Sequence, residues 1–365
     1  MREGLMLDNI KPIVTDQELA ETLKLISNVF KEHVKFQNES DADTLALWVL
    51  CTYLINQLEI LPFIYVTSPE PMCGKSTVLK LLKVFSKSAQ MASKITPAAI
   101  YRLIERDQPT LLFDEADRFL RGNNDLNGIL NAGHARFEAS VIINEKQGDG
   151  NWEPKEFSVW CAKAVAGIGA QDDTLISRSI VVPLRRKLIS ETVKPVRFNL
   201  EDQHETTRQK LAQWASQFKP IEAEEMESSF QAFTDRATDN WISIAVLARR
   251  IQHGWQERAY QAFKAIEIDR LNETQSIGIQ LLSDIRSITM NKNIKELTST
   301  ELYSSLLLLD ESEWFCLNHG KEITKKWLTQ KLLTFGIKPV KKSHANVFLL
   351  EYLQDAFDRY LPPLT

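Results

Sequence analysis

Apolar residues recur at helical spacing between residues 16 and 36, as Leu19, Leu23, Leu25, Ile26, Val29, Phe30 and Val34, and predict one amphipathic helix. A polar break at Gln37 to Asp43 separates it from a second helix expected from about Thr44 to Leu58, with Ser40 or Asp41 as its cap. The pattern then shortens. Pro62-Phe63-Ile64-Tyr65-Val66 reads as a strand, Val78, Leu79, Leu81, Leu82 and Phe85 return to helical spacing, and Thr110-Leu111-Leu112-Phe113 is a second short apolar strand. Between them, Thr96-Pro97 sets a capping hydroxyl before a proline at the first helical position and opens a helix through Arg106. Alternation of strand, helix and strand predicts a parallel sheet with helices on both faces.

A helical pattern from Asn124 to His134 gives way to two strands, Phe137 to Asn144 and Glu156 to Trp160, around the turn-rich Gln147-Gly148-Asp149-Gly150-Asn151. This is a hairpin. Lys163 to Gly169 is expected as the next core strand, and Val181 to Leu184 as another. Residues 200 to 290 are almost free of glycine and proline, and Trp214, Phe218, Trp241, Ile244, Leu247 and Ile251 fall at helical spacings. From Thr298 the order is a helix (Ser299 to Leu308), a loop with Trp314, a helix (Thr324 to Phe335) and a strand pair around Lys341-Lys342-Ser343 and Val347 to Leu350. That order outlines a winged helix. Four segments are expected: a helical lead-in at 1–60, an α/β core at 61–195, a helical domain at 196–295 and a winged-helix-like domain at 296–365.

Composition changes the picture little. The 365 residues carry 44 basic and 48 acidic side chains, a formal charge of −4, so nucleic-acid binding must be local. The longest apolar stretch, Leu45 to Ile55, falls well short of the roughly 20 residues that cross a bilayer, and no membrane association is expected. Met1-Arg2-Glu3-Gly4-Leu5 lacks the start of a secretory signal. Cys51, Cys73, Cys161 and Cys316 are scattered, against a disulfide framework or a zinc site. A cytoplasmic protein is expected.

The chemistry lies where the first strand meets its helix, at Thr67-Ser68-Pro69-Glu70-Pro71-Met72-Cys73-Gly74-Lys75-Ser76-Thr77. A strand turning through small residues into a helix that begins Gly-Lys-Ser has the layout of a P-loop, whose N–H groups point at bound phosphates. Pro71 to Thr77 would cradle the nucleotide, with Gly74 sparing the phosphate a Cβ. Lys75 would meet the β- and γ-phosphates, and the Ser76 hydroxyl would complete a Mg²⁺ shell. Pro69 stands where the usual pattern has its first glycine. Downstream, Asp114 would support the metal and Glu115 would orient water, although the pair also suits an acidic helix start. ATP and Mg²⁺ are the expected cofactors. Arg178, and next Arg185, could enter a neighbouring subunit's site as an arginine finger or form a structural ion pair. Lys146 and Lys155 on the hairpin, and Lys325, Lys326, Lys341 and Lys342 at the C-terminal end, are candidate DNA contacts.

Ala46-Leu47-Trp48-Val49, Ser68 to Thr77, Leu111 to Asp117, Leu130-Asn131-Ala132-Gly133-His134, Ala166-Gly167-Ile168-Gly169, Asp173-Thr174 to Ile180, and Lys326-Trp327-Leu328 to Pro339 recur in that order. The chain thereby resembles the P-loop domain-of-unknown-function family often fused to primase or helicase-like regions of phages, plasmids and integrated elements. The resemblance implies an AAA+-like ATPase with a subunit-interface site, Arg178 as its arginine and the hairpin as a pore element. No Asn or Thr in Ala164 to Gly169 matches the polar sensor of helicase relatives. The expectation is an ATP-hydrolysing motor acting on DNA, the helicase or helicase loader of a mobile element. Its partners would be DNA, further copies of itself as in a hexamer, and a separate primase or replication protein. The alternative is a nucleotide-gated regulatory or defence protein that switches assembly without translocating.

Overall fold

The computed structural model describes residues 14–92, 95–116, 123–146, 148, 151–168, 173–197, 199–222, 224–225, 235–273, 277–292, 296–309, 314, 322–342 and 345–361. Two compact units divide the chain after residue 268.

In the first unit, α1 (Asp16–His33) opens with a reciprocal cap, since the Thr15 hydroxyl accepts the Glu18 N–H and the Glu18 carboxylate accepts the Thr15 N–H. It stops before Val34, short of the expected residue 36. The second helix, α2 (Ser40–Tyr53), begins earlier and ends sooner than expected, and a 3-10 turn (Ile55–Gln57) follows it. Glu39 occupies the cap position, so neither Ser40 nor Asp41 is the cap. Asp41 and Asp43 lie instead in the first turn, where the exposed N–H groups favour carboxylates. From Leu45 to Cys51, α2 is fully buried on every side, as a helix without a polar face must be. Its Asp43 is satisfied by the Ser27 hydroxyl and by Arg258 Nη1 at 2.9 Å.

The chain continues through β1 (Phe63–Ser68), α3 (Lys75–Phe85), β2 (Ala89–Met91), α4 (Pro97–Asp107), β3 (Thr110–Phe113), α5 (Asn124–Ala132), β4 (Ser140–Lys146), β5 (Trp152–Ser158), β6 (Lys163–Ile168), α6 (Asp173–Ser177) and β7 (Ser179–Pro183). Five strands form one parallel sheet in the order β2-β3-β6-β1-β7, with helices packed against it. This is an α/β arrangement compatible with that of nucleoside triphosphatases. Tyr65 pairs with Val165, and Val165 with Phe113, so β6 runs between β1 and β3. All five strands therefore deliver their carboxyl ends to one edge. The edge strand β2 lacks an apolar run and was not expected. The strands β4 and β5 form the expected hairpin outside this sheet, paired from Ser140–Ser158 to Lys146–Trp152. The hairpin tip at residues 147, 149 and 150 lies outside the described residues, as do Gly169 to Asp172. Helices α7 (Leu200–Gln203), α8 (Glu205–Ser216), α9 (Asp235–Ile251) and α10 (Trp255–Glu273) follow. Trp241, Leu247, Trp255 and Phe263 share one apolar cluster with Phe63 and Ile64 of β1.

The second unit contains α11 (Ile277–Lys292), β8 (Glu296–Thr298), α12 (Ser299–Leu307), α13 (Lys325–Thr334), β9 (Val340–Lys342), β10 (Ala345–Leu349) and α14 (Leu350–Tyr360). Its three strands pair antiparallel in the order β8-β10-β9. Its core is Leu281, Ile285, Leu302, Leu306, Leu328, Leu332, Phe348 and Phe357. Trp314 Nε1 donates to Asp284 at 2.9 Å, while burial pushes the Asp284 carboxyl up from its ordinary value. Ser343 and His344 lie outside the described residues.

Candidate phosphate-binding cleft

The carboxyl edge of the sheet carries the loop between β1 and α3. Two of its residues have left-handed backbone, Met72 at φ +64° and Gly74 at φ +95°. A Cβ built on Gly74 would meet only Val34 at 3.9 Å and Leu184 at 4.0 Å, ordinary contacts. Glycine is therefore required by the backbone angle, and not by crowding. Gly74 then accepts the Val78 N–H at 3.1 Å, which starts α3. Lys75 Nζ folds back over the loop, donating to Ser68 Oγ at 2.5 Å and to the Glu70 carbonyl at 3.3 Å. The Ser68 hydroxyl in turn donates to that same carbonyl at 2.6 Å.

A cleft of about 350 Å³ opens here, lined by Met72 to Thr77, by His33, Val34 and Lys35 from the end of α1, and by Arg185, Lys187 and Val193 beyond β7. Pro71 is not among the lining residues. An antiparallel bridge between Phe36 and Leu184 draws the two flanking segments together. The segment after β7 is further strapped to α1 by Lys194 N–H to the Glu32 carbonyl at 2.8 Å and by His33 Nδ1 donating to the Lys194 carbonyl at 2.6 Å. Lys194 also holds the Glu32 carboxyl below its ordinary range, chiefly through their hydrogen bond at 2.7 Å. Among the described lining residues none is acidic, and Lys35, Lys75, Arg185 and Lys187 are all cations. A cluster of like charge at a helix N-terminus favours an anion with several negative oxygens.

Asp114 and Glu115 sit at the carboxyl end of β3, on the same edge but outside the lining of the cleft. Two strand spacings, about 10 Å, separate β3 from β1 across β6. Asp114 is half-buried and accepts the Glu115 N–H at 3.0 Å. Glu115 is exposed and left-handed at φ +56°, strain of about 1–2 kcal/mol for a residue with a Cβ. Among the described residues no cluster of three or more His, Cys, Asp or Glu could hold a metal by itself. Magnesium needs no such cage, since it binds through one or two carboxylates together with phosphate oxygens. The donor types at Ser76 and Asp114 fit that pattern.

Arg178 stands at the opposite, amino edge of the sheet. Its carbonyl accepts the Phe63 N–H at 3.0 Å, and its Nη1 donates to the Thr174 carbonyl at 3.3 Å. Next to it, His134 bonds Asn240 at 2.8 Å and meets Phe63 edge-on, a packed structural role. On the hairpin Lys146 is exposed opposite Trp152, whereas Lys155 pairs with Glu145 at 3.1 Å and lies over Phe157. In the second unit Lys325 donates to Thr300 at 3.0 Å and Lys342 pairs with Glu296, while Lys326 and Lys341 are exposed. Sequence reasoning missed His33, Lys35, Lys187 and Val193. Basic residues at a helix end are read as dipole partners, so only the fold reveals their convergence.

A family model described as "Protein of unknown function (DUF3631)" matches residues 183–360. The match begins at the last residue of β7 and leaves out the loop and Asp114-Glu115. Among solved structures, the chain is similar to "The A form apo structure of NrS-1 C terminal region-CTR" at 12% identity and a TM-score of 0.42, covering 90% of this chain and 75% of that one. A second, "The A form apo structure of NrS-1 C terminal region-CTR(305-718)", matches at 14% identity and a TM-score of 0.40, covering 95% and 79%. No curated protein matches the chain. No helix among the described residues is long and apolar enough to cross a membrane.

Proposed function

We propose that the chain is an ATP-hydrolysing motor of the AAA+ kind that acts on DNA, as the helicase or helicase loader of a mobile element. One observation carries the reading: a loop with left-handed turns leads into α3 at the carboxyl edge of a parallel sheet, in a cleft whose described lining residues include four cations and no carboxylate. Bound ATP and Mg²⁺ would supply the phosphoanhydride and its charge neutralisation. Lys75 and the N–H groups of Cys73 to Ser76 bind the phosphates, Ser76 and Asp114 hold the metal, and Glu115 orients the attacking water. Arg178, on the far edge from its own cleft, serves a neighbouring copy in a ring. Its loss then spares ATP binding and stops turnover.

DNA contacts are assigned to Lys146 on the hairpin and to the second unit, which we read as a winged helix with α13 as its recognition helix. Between residues 321 and 342 the sequence holds seven lysines and one glutamate. The engagement of Lys155 by Glu145 and of Lys342 by Glu296 favours the second reading, a nucleotide-gated switch that docks a protein. ATP turnover by the wild type and Glu115→Gln, with and without single-stranded and duplex DNA at two salt concentrations, separates the two. DNA stimulation that fades with salt and vanishes in the variant is expected. Turnover indifferent to DNA would favour the switch, and absence of ATP turnover under every condition would refute both.

A further inference from the structure

Arg185 was expected, if catalytic, to serve a neighbouring subunit, yet it lines the cleft of its own chain, which Lys75 also lines. Its base is rigid. Leu184 is buried, donates its N–H to the Thr67 carbonyl at 2.8 Å and bridges to Phe36, which fixes the backbone immediately before Arg185 against β1. Its tip is free: the side chain is exposed and forms no hydrogen bond or ion pair among the described residues. Its neighbours differ. Lys187 donates to the Glu191 carbonyl at 3.4 Å, Lys35 stands 3.9 Å from the Glu191 carboxylate, and Arg186 turns toward Met72 Sδ at 3.9 Å. An arginine held firmly at its root, unpaired at its fork among the described residues and lining the same cleft as Lys75 is arranged for a shared anion. The planar guanidinium matches two phosphate oxygens at once, which an ammonium cannot do.

We infer that Arg185 is a phosphate-binding residue acting in cis, clamping the phosphates of a nucleoside triphosphate in the cleft of its own subunit together with Lys75. The inference rests on the nucleotide-binding reading above. It divides the two arginines: Arg185 belongs to binding within one chain, and Arg178 to catalysis between chains.

Calorimetric titration of the full chain with ATP tests it, using wild type, Arg185→Ala, Arg185→Lys and Lys75→Ala, each checked for an unchanged melting temperature. Arg185→Ala is expected to weaken ATP about 10- to 100-fold, the range for losing a charge-assisted contact. Arg185→Lys should fall between it and the wild type, because it keeps the charge and loses the fork. Equimolar Arg185→Ala and Lys75→Ala should recover no turnover on mixing, since neither chain holds both groups. ATP binding by Arg185→Ala equal to the wild type would overturn the inference and leave the nucleotide reading standing. Recovery of turnover in the mixture would likewise overturn it, by showing that Arg185 acts across subunits. A wild type that binds no ATP would refute the nucleotide reading itself and the inference with it.

Discussion

Gly133→Ala is expected to be among the most damaging small substitutions in the first unit. Gly133 ends α5 with φ −87°, backbone that any residue adopts, so its reason for being glycine is space. A Cβ there falls well under 3 Å from both the Lys163 ammonium and the Val159 carbonyl oxygen. Lys163 is fully buried, donates to the carbonyls of Val159 at 3.0 Å, Cys161 at 3.1 Å and Gly133 at 3.3 Å, and lies 5.4 Å from the centre of the Phe63 ring. A methyl group must displace either main chain or a charge with nowhere else to go, and burial already pulls the Lys163 pKa down. Overpacking costs about 1–3 kcal/mol and a lost charge-assisted bond about 1.5–3 kcal/mol, together roughly 2.5–6 kcal/mol. At about 2–4 °C per kcal/mol for a unit of this size, the melting temperature falls by roughly 5–24 °C. Gly128 of α5 is the control, since a Cβ there meets nothing within 4 Å. Gly128→Ala should instead stabilise, by about 0.5–1 kcal/mol, through helix propensity. Urea unfolding followed by tryptophan fluorescence reads both. Gly133→Ala within 1 kcal/mol of the wild type would refute the close approach.

Glu225 carries a pH dependence: the hydrogen bond from Arg250, then the Glu222 N–H and the charges of Arg250 and Arg249, holds its carboxyl at about 2, against an ordinary 4.5. Its folded pKa is depressed, so its contribution is complete above the unfolded value and lost as pH falls through about 2. Glu225→Gln should therefore cost about 1–2 kcal/mol at pH 6, after allowance for solvent screening, with the penalty shrinking steadily below pH 4.5. A penalty independent of pH would contradict the pairing. If α13 and the β9–β10 hairpin contact duplex DNA, Lys326→Ala and Lys341→Ala should each lower the slope of log affinity against log salt by about 1. Lys342→Ala should change it less, because Lys342 is already paired with Glu296. Equal effects of all three, measured by fluorescence anisotropy, would count against that surface.

Elements whose signals are local were readable from the residues alone. The apolar run before Ser68 and the helical spacing after Lys75 specify β1, the loop and α3; Thr96-Pro97 specifies α4; and the run before Asp114 specifies β3. In each, a few adjacent residues set the backbone, so the loop residues and the acidic pair were legible. The edge strand β2 was not, because three half-exposed residues carry no periodicity and owe their shape to pairing with β3. The candidate cleft was legible only in part. That β6 would insert between β1 and β3, leaving Asp114 two strands from the loop, is a matter of crossover and register. Likewise His33 and Lys35 meet Arg185 and Lys187 only because Phe36 bridges Leu184, across about 150 residues of chain. Charges on separate segments read alike whether they face water or one another. Which of them share a cleft depends on how the folded chain brings those segments together.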